Sequence, residues 1–90
     1  MKFEWDENKN LKNIEKHGVP FTYASLVFDD EHRVEKYDVQ HSQDEDRYNV
    51  IGMVNEILFV VVTYRKADTI RIISARKANK KERSEYEWQL

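Results

Sequence analysis

The chain contains no cysteine, one proline and two glycines among its 90 residues. Without cysteine there is neither a disulfide framework nor a thiolate metal site. Gly18 and Gly52 stand far apart, so no glycine-rich loop is available to cradle a phosphate. Long apolar stretches are also missing. The longest, Ile57 to Val62, is six residues, far short of the ~20 that a bilayer-spanning helix needs. The opening MKFEWDENK lacks the apolar segment of a secretory signal. His17, His32 and His41 are too scattered for a zinc-protease spacing. His17 reads more simply as a helix C-terminal residue on the dipole. Ser25, Ser42, Ser74 and Ser84 have no nucleophile-elbow context. These absences leave a cytoplasmic protein with no metal and no cofactor as the expectation.

Charge is plentiful. Asp, Glu, Lys and Arg make up 36% of the chain, with a formal balance of −2. The length and the hydrophobic content fit one domain, residues 1–90, around a single small core. The charge is bipolar. From Val61 to Arg83, eight cations face two acids, a balance of +6, whereas from Asp29 to Asp46 two cations face eight acids, a balance of −6. A basic end suits a polyanion, and an acidic belt repels one from every other approach.

Phe3 and Trp5 alternate with polar neighbours, as in a short half-buried strand. Asp6 then caps a helix over Glu7 to His17, with Leu11 and Ile14 as its apolar side and Gly18 as its stop. Pro20 opens a second short helix whose buried face is Phe21, Ala24, Val27 and Phe28. Val34 to Val39 has the weak alternation of an edge strand. Arg47 to Val54 and Ile57 to Thr63 form a hairpin across Asn55-Glu56, and the second, apolar on both faces, is the central strand. Thr69 to Lys77 returns beside it, and Ala78 to Trp88 is a terminal helix. The predicted class is α+β: an N-terminal strand, two short helices, an antiparallel sheet of about four strands and a C-terminal helix, with the helices on one sheet face.

The remaining chemistry lies in guanidinium groups at strand ends. Arg65 closes the central strand and Arg71 opens its partner, so a short turn brings them together. Strict alternation puts Ile70, Ile72, Ser74 and Arg76 on one face of the last strand, and Arg71, Ile73, Ala75 and Lys77 on the other. Arginine stays charged and grips phosphate through a planar fork. Cleaving RNA without a metal requires alignment of a 2′-OH with its phosphate, stabilisation of added negative charge and protonation of the departing 5′-oxygen. Arginines supply the first two. Glu82, Tyr86 or Lys77 can assist proton transfer, and Tyr64, Tyr48 and Trp88 can stack on unpaired bases. On composition alone, a structural ion-pair network explains the same cluster.

Several ordered blocks, FEWDENKN, KHGVPF, VFDD, HSQDEDRYNVIG and RIISARKANKKERSEYE, together resemble the BrnT family from Phe3 to Glu87. Its members are RelE-like ribonuclease toxins of type II toxin–antitoxin systems. The resemblance implies a RelE-like fold and a metal-independent endoribonuclease that cuts mRNA and so inhibits translation. It further implies a BrnA-like ribbon-helix-helix antitoxin as partner, with operator DNA reached only through that antitoxin. Carried over by residue, Arg65 and Arg76 are the first catalytic candidates, joined by Glu82 and Tyr86 at the end of the motif. Arg71, Lys77, Lys80, Lys81 and Tyr64 are candidates for RNA contact. Glu45 and Arg47 match the family's central block and read equally as an ion pair. One departure stands out: members commonly carry Thr-Glu-Arg where this chain has Thr63-Tyr64-Arg65. A toxin-like binding module without catalysis, acting only inside an antitoxin–repressor complex, is the alternative reading.

Overall fold

The computed structural model describes all 90 residues. It begins with a three-residue strand, β1 (Lys2–Glu4), followed by helix α1 (Glu7–His17). The ends of α1 are set by local chemistry. The Asp6 carboxylate accepts from the Lys9 N–H at 3.2 Å, and Gly18 stops the helix at φ 70°, a left-handed conformation open to glycine. Helix α2 (Phe21–Ala24) starts after Pro20, which sits just outside it as the N-cap, and runs into a 3-10 turn, Ser25–Asp29. Then come β2 (Val34–Tyr37), β3 (Tyr48–Val54), β4 (Glu56–Tyr64), β5 (Thr69–Lys77) and helix α3 (Lys80–Trp88). No helix is long and apolar enough to cross a membrane.

The sheet has five strands in the order β1-β5-β4-β3-β2, antiparallel except for β1, which lies parallel to β5. The antiparallel part has the four strands expected, and the N-terminal strand β1 adds a fifth, parallel, at the β5 edge. Strand β4 is central and carries buried side chains on both faces.

Two cores lie on opposite sides of this sheet. Phe21, Ala24, Val27 and Phe28 pack with Val50, Leu58, Val60, Val62, Ile70 and Ile72 on the first. On the second, α3 contributes Tyr86 to a smaller cluster with Ile51, Ile57 and Ala78. The expectation of helices on a single face is therefore corrected. The terminal helix takes the opposite side because β4 is apolar on both, and its odd-numbered residues also need cover.

Helix α1 departs from the expected packing as well. Leu11 is 55% exposed, while Asn10 and Asn13 are buried. The Asn13 amide donates to the carbonyls of Val19 and Ala75, at 2.9 and 2.8 Å, and accepts from the Ala75 N–H at 3.2 Å. Strand β1 pairs β5 only as far as Arg71. Beyond that point Asn13 does what a neighbouring strand would do, satisfying backbone groups that burial would otherwise strand.

Candidate active site

Strand β5 holds one residue more than β4 needs. Val61 pairs with Ser74 and Val62 with Ile72, so Ile73 is bulged out of the ladder. An extra residue shifts the alternation by one. Arg71, Ser74 and Arg76 consequently share a face, paired with Thr63, Val61 and Phe59. The strict alternation read from the sequence, which put Arg71 opposite Arg76, is corrected by this bulge. The shared face is the one α3 covers, and only at its Ile51–Ile57–Phe59 end. Beyond that end the face carries Val61, Thr63, Arg71 and Ser74, and α1 borders it at Ser74.

At the α3 end, Arg76 and Glu82 form a two-pronged pair. Nη1 and Nη2 of Arg76 donate to the two Glu82 oxygens at 2.7 and 2.9 Å. The guanidinium also lies 4.3 Å from the centre of the Phe59 ring, a cation–π contact. A capping box fixes Glu82 in turn: its carboxylate accepts from the Asn79 N–H at 2.9 Å, and its own N–H donates to the Asn79 side chain at 2.8 Å. Burial pushes the Glu82 carboxyl up, but the Arg76 and Asn79 hydrogen bonds and the charges of Arg76 and Lys36 outweigh it. Glu82 is held below the usual carboxylate range. The same bonds hold the Arg76 proton more tightly than usual. Arg76 remains 36% exposed and keeps Nε–H and one Nη2–H uncommitted. A groove of about 190 Å³ runs alongside, lined by Lys36, Asn49, Phe59, Lys81 and Glu82 among others.

At the other end, Arg65 and Arg71 converge as expected, on Glu4. Arg71 Nη1 lies 3.1 Å from the Glu4 carboxylate, and Arg65 Nε lies 3.7 Å from it. Arg65 also reaches Glu45 at 3.4 Å. Glu45 therefore pairs with Arg65; the expected pairing with Arg47 is not formed, and Arg47 has no carboxylate within 4.0 Å. Arg65 and Arg76 are not neighbours. Arg65 lies six positions beyond Phe59, the partner of Arg76, roughly 20 Å along the strand direction.

The other candidates scatter. Tyr86 is 3% exposed and gives its hydroxyl to Asp30, away from Arg76. Its burial, then the Asp30 hydrogen bond, push the phenol up to about 12. Lys77 pairs with Leu58, so it points to the first core's side, where it meets Glu56 at 3.6 Å. Tyr64 lies on that side too, opposite Ile70, with its hydroxyl on Glu35 and its ring 5.2 Å from Tyr48. Lys80 and Lys81 occupy the exposed first turn of α3, and Lys81 borders the groove. Trp88 is 90% exposed.

The sequence reading missed Glu4, Phe59, Lys36 and Asn49 as members of this face. Glu4 becomes visible only once β1 is known to pair with β5. The other three occupy the alternate positions of β2, β3 and β4 that share the arginine face, a pattern present in the sequence once the register is fixed. No three His, Asp or Glu side chains come together as a group that could hold a metal ion.

Residues 5–82 match the family described as "Ribonuclease toxin, BrnT, of type II toxin-antitoxin system". No curated protein matches the chain. Among solved structures, the 1.1 Å crystal structure of the Brucella abortus ribonuclease toxin BrnT is similar, with a TM-score of 0.64 and 28% sequence identity. That likeness covers 89% of this chain and 99% of the Brucella chain. The family match spans both ends of the arginine face, from Trp5 beside Glu4 to Glu82 itself, and the chain belongs to the BrnT family of ribonuclease toxins of type II toxin–antitoxin systems.

Proposed function

We propose that this toxin is a metal-independent endoribonuclease of RelE-like type that cuts mRNA on the arginine-bearing sheet face. The observation that carries the reading is the clamped Arg76. Its guanidinium is fixed by Glu82 and Phe59, yet the side chain is partly exposed and keeps two N–H donors uncommitted. Preorganised donors of this kind stabilise charge that develops in a transition state, because they need no reorganisation when it appears. In the reaction, the 2′-hydroxyl attacks its neighbouring phosphorus and releases its proton to water, the P–O5′ bond breaks, and the departing 5′-oxygen takes a proton from water, leaving a 2′,3′-cyclic phosphate and a 5′-hydroxyl. Arg76 carries the added negative charge on the phosphoryl oxygens, and Glu82 positions Arg76. Arg65 and Arg71 hold phosphates farther along the strand, with Lys81 flanking the groove and Lys80 on the same turn of α3. Tyr86, closed off by Asp30, has a packing role. The acidic belt opposes RNA approaching from the wrong side.

A type II toxin is opposed by a protein antitoxin, and we assign this one a BrnA-like ribbon-helix-helix partner that covers the arginine face and links the toxin to operator DNA. Position 64 lies on the opposite side of the sheet from Arg76, so tyrosine in place of the family's usual glutamate leaves the face described here intact.

Induced expression without a partner tests the activity. The wild-type chain is expected to arrest growth and fragment RNA. Arg76→Ala, at matched soluble levels, is expected to do neither, for a loss of about a hundredfold or more in cleavage. Intact RNA and normal growth with folded wild-type protein would overturn the assignment and leave the binding-module reading in its place.

A further inference from the structure

The two ends of the arginine face are roughly 20 Å apart, and the side chains between them include two polar groups with no partner in the protein. Arg47 lies immediately before β3, two residues from Asn49. Tyr48 packs towards the first core, so alternation turns Arg47 and Asn49 to the opposite, arginine-bearing face. Nε of Arg47 and Oδ1 of Asn49 are both buried and both lack a hydrogen-bond partner. The Arg47 guanidinium also makes no ion pair within 4.0 Å, although Glu45 is two residues away and spends its carboxylate on Arg65. An unpaired, partly buried cation is unfavourable for folding alone. Buried polar groups are nearly always satisfied, so an orphaned donor and an orphaned acceptor two residues apart call for an explanation.

The surroundings supply one. Arg47 borders a cavity of about 290 Å³ together with Glu45, which contacts Arg65 at one end of the face. Asn49 borders the 190 Å³ groove together with Phe59 and Glu82, which hold Arg76 at the other. Across the sheet Asn49 pairs with Val61, and Val61 with Ser74, so this row crosses the face between Arg71 and Arg76. Arg47, one residue before the Tyr48–Val62 pair, is level with the Thr63–Arg71 row, so the two unsatisfied groups follow the face from the Arg71 end towards Arg76.

We infer that Arg47 and Asn49 form a central nucleotide-binding subsite, in which Arg47 binds a phosphate and the Asn49 amide hydrogen-bonds the adjoining nucleotide from the groove it lines. This rests on the ribonuclease reading above. A guanidinium fits the phosphate by charge and fork geometry. An amide oxygen fits a donor, either the ribose 2′-OH or a base amino group, and the 2′-OH is what distinguishes RNA from DNA at a site. The subsite turns two separate arginine clusters into one continuous track. It also gives a reason to keep a cation that the fold leaves unpaired.

The test uses the full chain carrying Arg76→Ala, so that the probe stays intact, and measures binding of a short single-stranded oligoribonucleotide across a salt series. Adding Arg47→Met is expected to weaken binding about tenfold and to lower the salt slope by about 0.7, the contribution of one single-strand phosphate. Its melting temperature should stay level or rise. Adding Asn49→Ala instead should weaken binding several-fold with the slope unchanged. If single 2′-deoxy substitutions in the probe abolish that Asn49 effect at one position, the donor is the 2′-OH; if none does, it is a base. Affinity and slope equal to the parent's in both variants would overturn the subsite. So would an Arg47→Met variant that loses affinity at constant slope. Absence of RNA binding by the parent, together with absence of cleavage by the wild-type chain, would instead sink the ribonuclease reading, and the subsite with it.

Discussion

At the scale of single residues, Glu82 shows how one side chain can serve the fold and the site together. Its carboxylate completes the helix cap and also fixes the arginine. Because its folded-state value lies below the ordinary 4.5, the stability it adds is fully present above pH 4.5 and lost as pH falls through the lowered value. Glu82→Gln is expected to cost about 1 kcal/mol at pH 7, after allowance for the partial exposure of Arg76. The difference from wild type should shrink as pH falls below 4.5 and through the lowered value, as followed by denaturant unfolding at each pH. RNA cleavage should fall at neutral pH, since Arg76 loses its charged anchor. Roles of this kind were only partly legible in the sequence. Arg76 and Glu82 were marked by the motif, but their mutual pairing needs the turn at Ala78-Asn79. The central block suggests an ion pair of Glu45 with Arg47, whereas the fold brings Glu45 to Arg65, twenty residues on. Proximity in sequence was a poor guide because the segment from Asp38 to Arg47 is a loop that returns to the sheet at an angle periodicity does not encode.

At the scale of elements, boundaries were the most legible feature. Helix α1 and strand β5 begin and end where their caps and alternation predicted, and β4 is the central strand. Local chemistry sets such limits: an aspartate at the N-cap, a glycine at positive φ, an unbroken β-branched run. Packing faces were less legible. Leu11 faces outwards while Asn10 and Asn13 are buried, because α1 lies against an open strand edge that requires hydrogen bonds more than hydrocarbon. Asn13→Ala would leave the Ala75 N–H and carbonyl without partners inside the protein. We expect a loss of about 3 kcal/mol, read as a lower urea midpoint with little change in slope. Leu11→Ala, by contrast, should change stability by less than about 0.5 kcal/mol.

At the scale of the whole molecule, two layers on opposite faces of one sheet must be kept in register, and Asp30 links them. It follows the 3-10 turn of the first layer, yet its carboxylate accepts from the Tyr86 hydroxyl on α3, and also from the backbone N–H groups of Met53 and His32. Burial raises the Asp30 carboxyl, and the three hydrogen bonds with the nearby His32 more than reverse this, holding it below 3.8. Asp30→Ala is therefore expected to release α3 first. Amide exchange in Lys80–Trp88 should accelerate ahead of exchange in β4, and global stability should fall by about 2 kcal/mol. Tyr86→Phe should lose the hydroxyl contact and keep the packing, at about half that cost. None of this linkage was visible in the sequence, where Asp30 reads as one acid in an acidic belt. The long separation between Asp30 and Tyr86 in the chain conceals a contact made around the sheet's edge.

The bulge at Ile73 has a wider consequence. Ile73 has no catalytic chemistry of its own, yet its extra length decides whether the face carries one strand-borne arginine or two. Such a site is specified by a count as well as by an alphabet. Shortening β5 by that one residue would preserve every cation in the chain and still disperse them, turning Arg71 with Glu4, or Arg76 with Glu82, to the other side. Two relatives with identical arginines and strands of different length would therefore differ in the surface they offer to RNA, while relatives that differ in residue type at position 73 would keep it.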